Sequence, residues 1–593
     1  MSKSIKQKKE RRRIIIDFEV LSEAGFWMCC MKDYQTGKEH TIINDREEFM
    51  RVFNKNKDSV WVGYNIKGYD VWIMKAIIAD IDPCMVSRRL IKEHINGWKI
   101  DPSFNKIDVI IFELMTANNR GLKELELYMG EDIQESSVSF DLTHYPTDSE
   151  IEELTKYCLH DVRMTHKVFE EQYYRYEAQL GLVEYFNLNP LMLSRTEAQL
   201  SAYILGAKKP SIPRDDDYDF DIIDTLSLNK YKHVIDWYRN ETNRGSKKTL
   251  NLNVYGVESV FGWGGMHSAL NKYEAEEYIV HSDGISFYSA IMIEYNLLSR
   301  NVKDPQKFTD IRDNRVRLKD VKDPVEKSLK LVLTATSGGA KDEYNELYDP
   351  KQGNAVCVNG QLLLLDLIEK VEEEFGNNAK FIQGNTDGVI FKFNSKEDVD
   401  KYLKLCEQWC IRTRIKLDHD FIKRIIQKDV NNYIAIYEDD SIKRVGAYVK
   451  KLSLLDNDLP IVNKAITEKI INNVPIADTI NNATNLIDFQ KCVKITGQYS
   501  HGLHGVEPIH LKILRVFASK LPSDSAITKV RPGKNPERIP YTPDRAFIDN
   551  GKVKDKEIPD KLDREWYIEL AEKRYEDFVK QDTYDLFDYL NSL

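Results

Sequence analysis

The sequence has few of the features that indicate secretion, a zinc ribbon or membrane insertion. It carries only 8 cysteines in 593 residues, and none of them forms a Cys-x-x-Cys pair. Scattered cysteines are typical of a reducing compartment and argue against a disulfide framework. The basic residues 1–13 are not followed by a long apolar run, and no stretch is long enough to cross a bilayer. We therefore expect a cytoplasmic protein with no membrane partner.

Internal repeats and low-complexity segments are also absent, so the length predicts roughly three to five structural units. The net charge of −10 mildly disfavours a nucleic-acid ligand, unless a local basic track is present. One such track lies within 501–545 and contains Lys512, Arg515, Lys520, Lys529, Arg531, Lys534, Arg538 and Arg545. A second precedes the first predicted strand and contains Lys3, Lys6, Lys8, Lys9 and Arg11 to Arg13.

Two acids stand at the ends of strand patterns about a hundred residues apart. A β-branched run ends on Asp283 and is followed by a helix-like pattern. Further on, two strand patterns flank Gly-Asn-Thr-Asp-Gly, a hairpin signal with Asp387 at its tip. Carboxylates on neighbouring strand ends can hold two Mg²⁺ ions about 4 Å apart, with Mn²⁺ as an alternative. A hairpin with Asp at its tip is more often only a turn, so this pattern alone leaves function open.

The amino-terminal third carries further acids at regular spacing. Asp17 and Glu19 lie two residues apart on a β-branched strand pattern, so both project from one face. Asp70 opens a helix after a turn that contains Asn65 and Tyr69. Alternating charge on an edge strand is the simpler interpretation of the first pair.

A later helix pattern places Tyr157 and Asp161 four residues apart, hence on one face. We interpret the neighbouring His160 as a histidine on the helix surface. The four acids of this region carry too much negative charge for a protein core unless divalent cations neutralise them.

In this order the motifs resemble those of phage-type family B DNA polymerases. Asp283-Gly-Ile-Ser-Phe-Tyr288 is similar to the first palm motif, Asp-x-x-Ser-Leu-Tyr, and Asn385-Thr-Asp-Gly388 is similar to the Asp-Thr-Asp-Ser hairpin. The amino-terminal acids resemble the three exonuclease motifs, Asp-x-Glu, Asn-x-x-x-Tyr-Asp and Tyr-x-x-x-Asp. The resemblance covers nearly the whole chain, from about Ile14 to a helix at Trp566.

The resemblance implies an α/β and α+β multidomain fold, in which an RNase H-like 3′→5′ exonuclease is followed by a right-hand polymerase. The implied regions are an exonuclease at 1–175, a connecting region at 176–250, palm at 251–300, fingers at 301–340, palm again at 341–450, and thumb with the C-terminal region at 451–593.

The resemblance also implies roles for individual residues. Metal ligands would be Asp17, Glu19, Asp70 and Asp161 in the exonuclease, where Tyr157 orients the attacking water, and Asp283 and Asp387 in the polymerase. Nucleotide contacts would come from Arg315, Lys319, Lys330, Ser286 and Tyr288, of which Tyr288 excludes a 2′-hydroxyl. DNA contacts would come from Gly264, Gly265, Asn65, Tyr69, Tyr433, Lys512 and Arg515.

The chain departs from the family pattern at several positions. Asn385 replaces the first acid of the hairpin, which the resemblance identifies as the non-essential ligand. Thr334 and Ser337 stand where the family has Asn and Tyr, so base-pair checking is expected to differ. Asn431 replaces the lysine of a Lys-x-Tyr motif that steadies the primer end, and Tyr433 keeps its tyrosine.

The short spacings from Asp283 to Lys330 and from Lys330 to Asp387 leave little room for the insertions of protein-primed phage polymerases. We also expect no separate domain before the exonuclease. We expect a monomeric, proofreading, replicative phage polymerase that extends a nucleic-acid primer in the host cytoplasm. Its implied partners are primer–template DNA, dNTPs and a phage clamp, helicase or single-strand-binding protein. Two enzymatic alternatives remain, an exonuclease whose C-terminal half only binds DNA and a protein-primed polymerase. A structural DNA-binding protein does not explain six acids at motif spacing.

Overall fold

The computed structural model describes residues 10–115, 119–495 and 497–579, which form a mixed α/β structure in two compact units. Unit 1 comprises Met1–Thr196, Leu452–Pro460 and Ala483–Arg564, and unit 2 comprises Glu197–Lys451, Ile461–Asn482 and Glu565–Leu593. Of the expected amino-terminal basic segment, Lys3, Lys6, Lys8 and Lys9 lie outside the described residues. Within the described ranges, no helix combines the length and apolar character that a membrane span requires.

The first part of unit 1 is a sheet with helices packed on it. Its strands are β1 (Arg13–Leu21), β2 (Phe26–Asp33), β3 (Glu39–Ile43), β4 (Val60–Gly63) and β5 (Ile111–Glu113), and its helices are α1 (Arg46–Lys55), α2 (Asp70–Ala79), α3 (Pro83–Ile91), α4 (Leu122–Met129), α5 (Asp148–Glu171) and α6 (Tyr173–Tyr185). The sheet order is β3-β2-β1-β4-β5, with β1 central, antiparallel to β2 and parallel to β4.

The alternation along β1 explains which face carries its acids. Ile14, Ile16 and Phe18 belong to one buried cluster with Phe49 of α1. Successive strand residues point to opposite faces, so Asp17 and Glu19 project from the other face of the sheet. Helix α5 packs against that face. Helix α5 begins with a capping box of Thr147 and Glu150.

Unit 2 is built on a larger sheet. Its elements are α7 (Glu197–Ile204), α8 (His233–Arg239), β6 (Thr249–Val254), β7 (Val257–Gly262), β8 (His267–Ala269), β9 (Tyr273–Gly284), α9 (Phe287–Glu294), α10 (Pro305–Asp320), α11 (Val325–Gly339), α12 (Pro350–Phe375), β10 (Ala379–Asn385), β11 (Gly388–Phe393), α13 (Lys396–Thr413), β12 (Leu417–Asp429), β13 (Asn432–Tyr437), β14 (Ile442–Val445), α14 (Pro460–Asn472) and α15 (Ile476–Asn481). The strands follow the order β14-β13-β12-β9-β11-β10-β8-β7-β6, and the predicted hairpin is confirmed as β10–β11.

The remaining elements form two small antiparallel sheets and a last helix: β15 (Lys491–Lys494), β16 (His501–His504), β17 (Glu507–Ile509), β18 (Ile513–Ala518), β19 (Ile527–Val530), β20 (Glu537–Arg538), β21 (Ala546–Ile548) and α16 (Arg564–Phe578). The strands share a core that includes Val493, Leu514 and Val516. Because 483–564 belongs to unit 1, the expected thumb and C-terminal region at 451–593 is instead divided between the two units.

Arg515 corrects an expectation about the basic track. Its side chain is 0% exposed, and its guanidinium donates hydrogen bonds to the carbonyl oxygens of Leu127 (3.0 Å), Glu131 (2.9 Å) and Gly551 (2.6 Å). It therefore adds a donor to carbonyl oxygens at and after the C-terminal end of α4, where the amide of Gly130 also binds the Leu127 carbonyl. The prediction that Arg515 contacts DNA is wrong, because the side chain is buried within unit 1. Lys512, in contrast, is exposed.

Candidate active sites

A cleft of about 390 Å³ in unit 1 collects the acids predicted from the amino-terminal motifs. Its lining includes Asp17, Glu19, Asp70 and Asp161, together with Asn65, Tyr69, Arg88, Ile91, Lys92 and Phe140. The two acids of β1 thus meet the first residue of α2 and a residue of α5. Arg88, Ile91, Lys92 and Phe140 carry no motif that would have marked them in the sequence.

Backbone contacts hold the cleft in shape. The amide of Phe18, between the two β1 acids, donates to Asp70 Oδ1 at 3.1 Å. The loop before α2 is held by Glu113, whose carboxylate accepts from the amides of Asn65 and Lys67, each at 2.9 Å. Asn65 adopts a left-handed backbone with φ 63°, a conformation that asparagine tolerates better than most residues. Glu113 was not predicted, since nothing in its local sequence indicates this long-range contact.

Burial governs the electrostatics of this cleft. It raises the pKa of Asp17 and of Glu19 well above their usual values, with the neighbouring acids adding to the rise. Burial also raises the pKa of Asp70 to about 7 and that of Asp161 to about 6. Closely spaced carboxylates that resist ionisation suit a divalent cation, whose charge stabilises their ionised forms. The donor set therefore fits a hard metal ion held by these four acids.

A lysine outside the predicted motifs lies among the acids of unit 1. Lys123 of α4 donates to Asp161 Oδ1 and to Glu126 Oε1 (3.2 Å), and its ammonium group lies 4.6 Å from the ring centre of Tyr157. Lys123 therefore places a positive charge beside the acids of the unit 1 cleft. His160 is buried, with Nε2 3.5 Å from Glu126 Oε2, so the expectation of a surface histidine is wrong.

A second cleft, of about 500 Å³ in unit 2, collects the residues predicted for the polymerase site. Its lining includes Asp283, Asp387, Ser286, Tyr288, Arg315, Lys319 and Lys330, with Thr334 and Ser337 beside them. These residues come from β9, the β10–β11 turn, α9, α10 and α11. The structure thus places two acids opposite three basic side chains.

The hairpin tip is tightly packed against β9. Gly284 donates from its amide to the carbonyl of Asp387 at 2.8 Å. Gly388 lies opposite Asp283, and a Cβ added there would stand only 2.8 Å from Asp283 Oδ1. Burial raises the pKa of Asp283 to about 6, with a contribution from Asp387, and burial also raises the pKa of Asp387. These acids likewise fit a divalent cation.

The basic side of this cleft is formed by two neighbouring helices, α10 and α11. Arg315 donates to Ser286 Oγ at 2.8 Å, which ties α10 to the residue that precedes α9. Lys319 lies one turn further along α10, and Lys330 is exposed on α11. Tyr288 packs close to Gly360, where an added Cβ would come within 3.1 Å of its ring.

Two charged residues of this region were missed by the sequence motifs. Asp418 of β12 lies opposite Asp283 in the sheet and lines the cleft. Lys443 of β14 lies 6.0 Å from the ring centre of Tyr433, and its charge opposes the rise in the pKa of Asp283. Asn431, where the family motif has lysine, is exposed in the β12–β13 turn. Lys443 lies on β14, which β13 and β12 separate from β9, so no spacing rule within one motif would have found it.

The paired glycines before β8 have different surroundings. A Cβ on Gly265 would lie 2.7 Å from Thr386 Oγ1, so this glycine permits close packing on the hairpin turn. Gly264 has open space around its Cβ position, and its carbonyl accepts from Gln361 Nε2 at 2.8 Å.

Among solved structures, the fold resembles that of a DNA polymerase. The structure of the family B DNA polymerase from the hyperthermophilic archaeon Pyrobaculum calidifontis aligns over 96% of this chain and 77% of that chain, with a TM-score of 0.44 and 14% sequence identity. No protein-family model matches the sequence. No curated protein sequence matches it. We base the function proposed below on the side chains themselves.

Proposed function

We propose that this protein is a DNA-directed DNA polymerase of the family B type, with a 3′→5′ proofreading exonuclease in unit 1. The observation that carries the proposal is the composition of the unit 2 cleft. Asp283 and Asp387 face a cluster of three basic side chains, Arg315, Lys319 and Lys330. Acids that bind metal beside cations that bind phosphate are what nucleotidyl transfer requires.

In unit 2, the chain's own residues would bind and orient the reactants. Nucleotidyl transfer joins the primer 3′-oxygen to the α-phosphorus of a dNTP and releases pyrophosphate. Two Mg²⁺ or Mn²⁺ ions held by Asp283 and Asp387 would supply charge neutralisation at the reacting oxygens. Arg315, Lys319 and Lys330 would bind the β- and γ-phosphates as charge-assisted donors. The ring of Tyr288 would lie beneath the sugar and exclude a 2′-hydroxyl.

The primer side of unit 2 is assigned to residues near β13 and β14. We assign the primer end to Tyr433 together with Lys443, whose charge would partly replace that of the lysine missing at position 431. Gly264 and Gly265 would lie along the DNA backbone near the hairpin turn. Lys512, on an exposed position of unit 1, would contact phosphates without reading sequence.

In unit 1, we propose an RNase H-like exonuclease that hydrolyses the terminal phosphodiester of a DNA strand. Asp17, Glu19, Asp70 and Asp161 would hold two divalent ions, which supply charge neutralisation at the reacting phosphate. Tyr157 would orient the attacking water. Asn65 and Tyr69, which line the cleft, would contact the strand end.

The phage origin, the cytoplasm of a bacterial host, the monomeric state and partners such as a clamp, a helicase or a single-strand-binding protein remain part of this proposal. They are supported by the motif resemblance and by the short spacings around Lys330. These spacings favour an ordinary annealed DNA primer over a protein primer.

Reciprocal variants test the proposal. Asp283→Asn should lower primer extension by about 1000-fold or more, because a lost metal ligand disturbs both reacting oxygens, and should leave degradation of single-stranded DNA intact. Asp17→Ala should abolish degradation of single-stranded DNA and leave primer extension largely intact. Both activities are measured on 5′-labelled oligonucleotides, with and without dNTPs.

Two results would overturn parts of the proposal. Extension at the wild-type rate by the Asp283→Asn protein would remove the polymerase assignment and leave an exonuclease with a DNA-binding C-terminal half. Transfer of a dNMP to a protein hydroxyl, without extension of an oligonucleotide, would indicate a protein-primed enzyme.

A further inference from the structure

A cysteine lies directly behind the acids of the unit 1 cleft. Cys158 follows Tyr157 on α5, and its Sγ lies 3.6 Å from Asp17 Oδ2 and 3.7 Å from the Asp17 carbonyl oxygen. Ligand atoms of Asp17, Glu19 and Cys158 all lie within 4.8 Å of one another. This group joins a thiol to two of the carboxylates assigned above to hard metal ions.

The oxygen–sulfur distance matches tetrahedral coordination by one ion. Zinc binds carboxylate oxygen at about 2.1 Å and thiolate sulfur at about 2.3 Å, so a tetrahedral angle separates the two ligand atoms by about 3.6 Å. The observed separation of Asp17 Oδ2 and Cys158 Sγ is 3.6 Å. No rearrangement of these two side chains is needed to place an ion between them.

A second thiol adjoins the first. Cys30 of β2 is the strand partner of Asp17, so its side chain lies on the same face of the sheet. Hydrogen bonding with Cys158 lowers the pKa of the Cys30 thiol. The neighbourhood is therefore rich in polarisable ligands, which zinc-class ions prefer and magnesium does not.

We propose that the Asp17–Glu19–Cys158 group binds one thiophilic divalent cation, of the Zn²⁺ or Cd²⁺ class, and that this ion inhibits the unit 1 activity. On binding, the Cys158 thiol loses its proton to solvent and the thiolate becomes a ligand. An ion held there occupies Asp17 and Glu19, so these two carboxylates are no longer available to the hard-metal arrangement. The inhibitory part rests on the exonuclease proposed above, whereas the binding part does not.

The proposed site predicts an effect of the ion on the unit 1 cleft and not on the unit 2 cleft. Among the described residues, the groups of three or more metal-capable side chains that come this close both lie in unit 1, and the other one (Glu126, His160 and Asp161) contains no sulfur. A thiophilic ion should therefore act on the unit 1 activity through Cys158. Primer extension by the same preparation serves as an internal reference.

Cadmium titration tests both parts. The full-length wild-type protein should show a Cd²⁺–thiolate charge-transfer absorbance that saturates at one equivalent, and this band should be lost in Cys158→Ser. The matched control is Cys84→Ser, which removes another buried thiol of unit 1 whose Sγ contacts a backbone carbonyl at 3.7 Å. The control should keep the band.

Inhibition is measured as the Cd²⁺ concentration that halves single-strand degradation in Mg²⁺, relative to each protein's own rate without Cd²⁺. This concentration should rise by about tenfold or more in Cys158→Ser and stay unchanged in Cys84→Ser. Cys158→Ala provides the same comparison if the serine variant does not fold, as judged by circular dichroism.

Each outcome has a definite meaning. A band of equal size in wild type and Cys158→Ser overturns the metal site, and so does equal inhibition of both proteins. If wild type lacks exonuclease activity but shows the Cys158-dependent band, the site stands and the proposed exonuclease fails.

Discussion

The two clefts differ in how their negative charge is balanced. In unit 1, burial raises the pKa of four acids, Asp17, Glu19, Asp70 and Asp161, and Lys123 contacts the last of them. The lining of this cleft also includes Arg88, Lys92 and Asp141. In unit 2, three acids face three basic side chains. The acids are Asp283, Asp387 and Asp418, and the cations are Arg315, Lys319 and Lys330.

This difference indicates what each cleft can accept. The raised pKa values of the unit 1 acids favour binding of a divalent cation, whose charge stabilises the ionised carboxylates. The balanced cleft of unit 2 has cations left for a triphosphate as well as acids for metal. Under the function proposed above, the unit 1 cleft would be the hydrolytic site and the unit 2 cleft would be the nucleotide-binding site.

Of the variants that test the difference between the two clefts, Gly388→Ala should have the largest effect on activity. The added Cβ would lie 2.8 Å from Asp283 Oδ1, so the carboxylate must move. A displacement of about 1 Å at a reacting centre can lower a rate about 100-fold, and we expect a loss of this size in primer extension. Exonuclease activity should not change.

The control is Gly262→Ala, whose Cβ would meet its nearest atom at 3.4 Å, an ordinary contact. Extension is measured under single-turnover conditions. Equal rates for Gly388→Ala and Gly262→Ala would show that Asp283 does not depend on this close packing.

A smaller effect should follow from removing the positive charge of Lys123. Lys123→Met leaves Asp161 without its nearest positive charge, and loss of such a supporting contact typically costs about 10- to 100-fold. Since Lys123 lowers the pKa of Asp161, its loss should also shift the acidic limb of the exonuclease pH profile to higher pH.

Lys156→Met, an exposed lysine of α5, is the matched control. The measurement is the rate of single-strand degradation between pH 5 and 9. A uniform decrease without a shift of the acidic limb would mean that Lys123 acts only on folding or DNA binding.

The smallest effect concerns stability without metal. Burial raises the pKa of Asp70 to about 7, so the native state holds this proton more tightly than the unfolded chain does. The stabilisation is present below about pH 4 and is lost as the pH rises through 7. Asp70→Asn removes this dependence and should raise the melting temperature in EDTA at pH 8 by roughly 2–8 °C, with a smaller rise at pH 5.

Differential scanning fluorimetry checks this, with exposed Glu152→Gln of α5 as control. Added Mg²⁺ should stabilise the wild type more than the variant. The same melting temperature for both proteins in EDTA at pH 8 would contradict the assigned burial of charge.

Local patterns predicted much of both clefts, because strand and helix periods determine which side chains share a face. The pairing of Asp17 with Glu19, the hairpin at Asp387 and the spacing of Arg315 and Lys319 all follow from such periods. Lys123 and Lys443 were missed because tertiary packing alone brings them to the acids.

Composition misled in one case. Arg515 belongs to a basic track, yet it is fully buried, since charge content gives no information on which basic side chains find carbonyl partners. The region after position 451 was interpreted as the thumb from its helix patterns and its basic, proline-punctuated segment. Leu452–Pro460 and Ala483–Arg564 of this region belong to unit 1, and no local pattern encodes contacts such as that of Arg515 with α4.

The discontinuity of unit 1 has a consequence for protein synthesis. Helix α4 leaves the ribosome long before Arg515, which later satisfies its terminal carbonyls. At about 5–20 residues per second, the interval from Thr196 to Arg564 is roughly 20–70 s. During that time residues 197–563 emerge, while α4 still lacks its contacts with β18. A nascent chain stalled within this interval should therefore bind chaperones and be cleaved by proteases at α4 first.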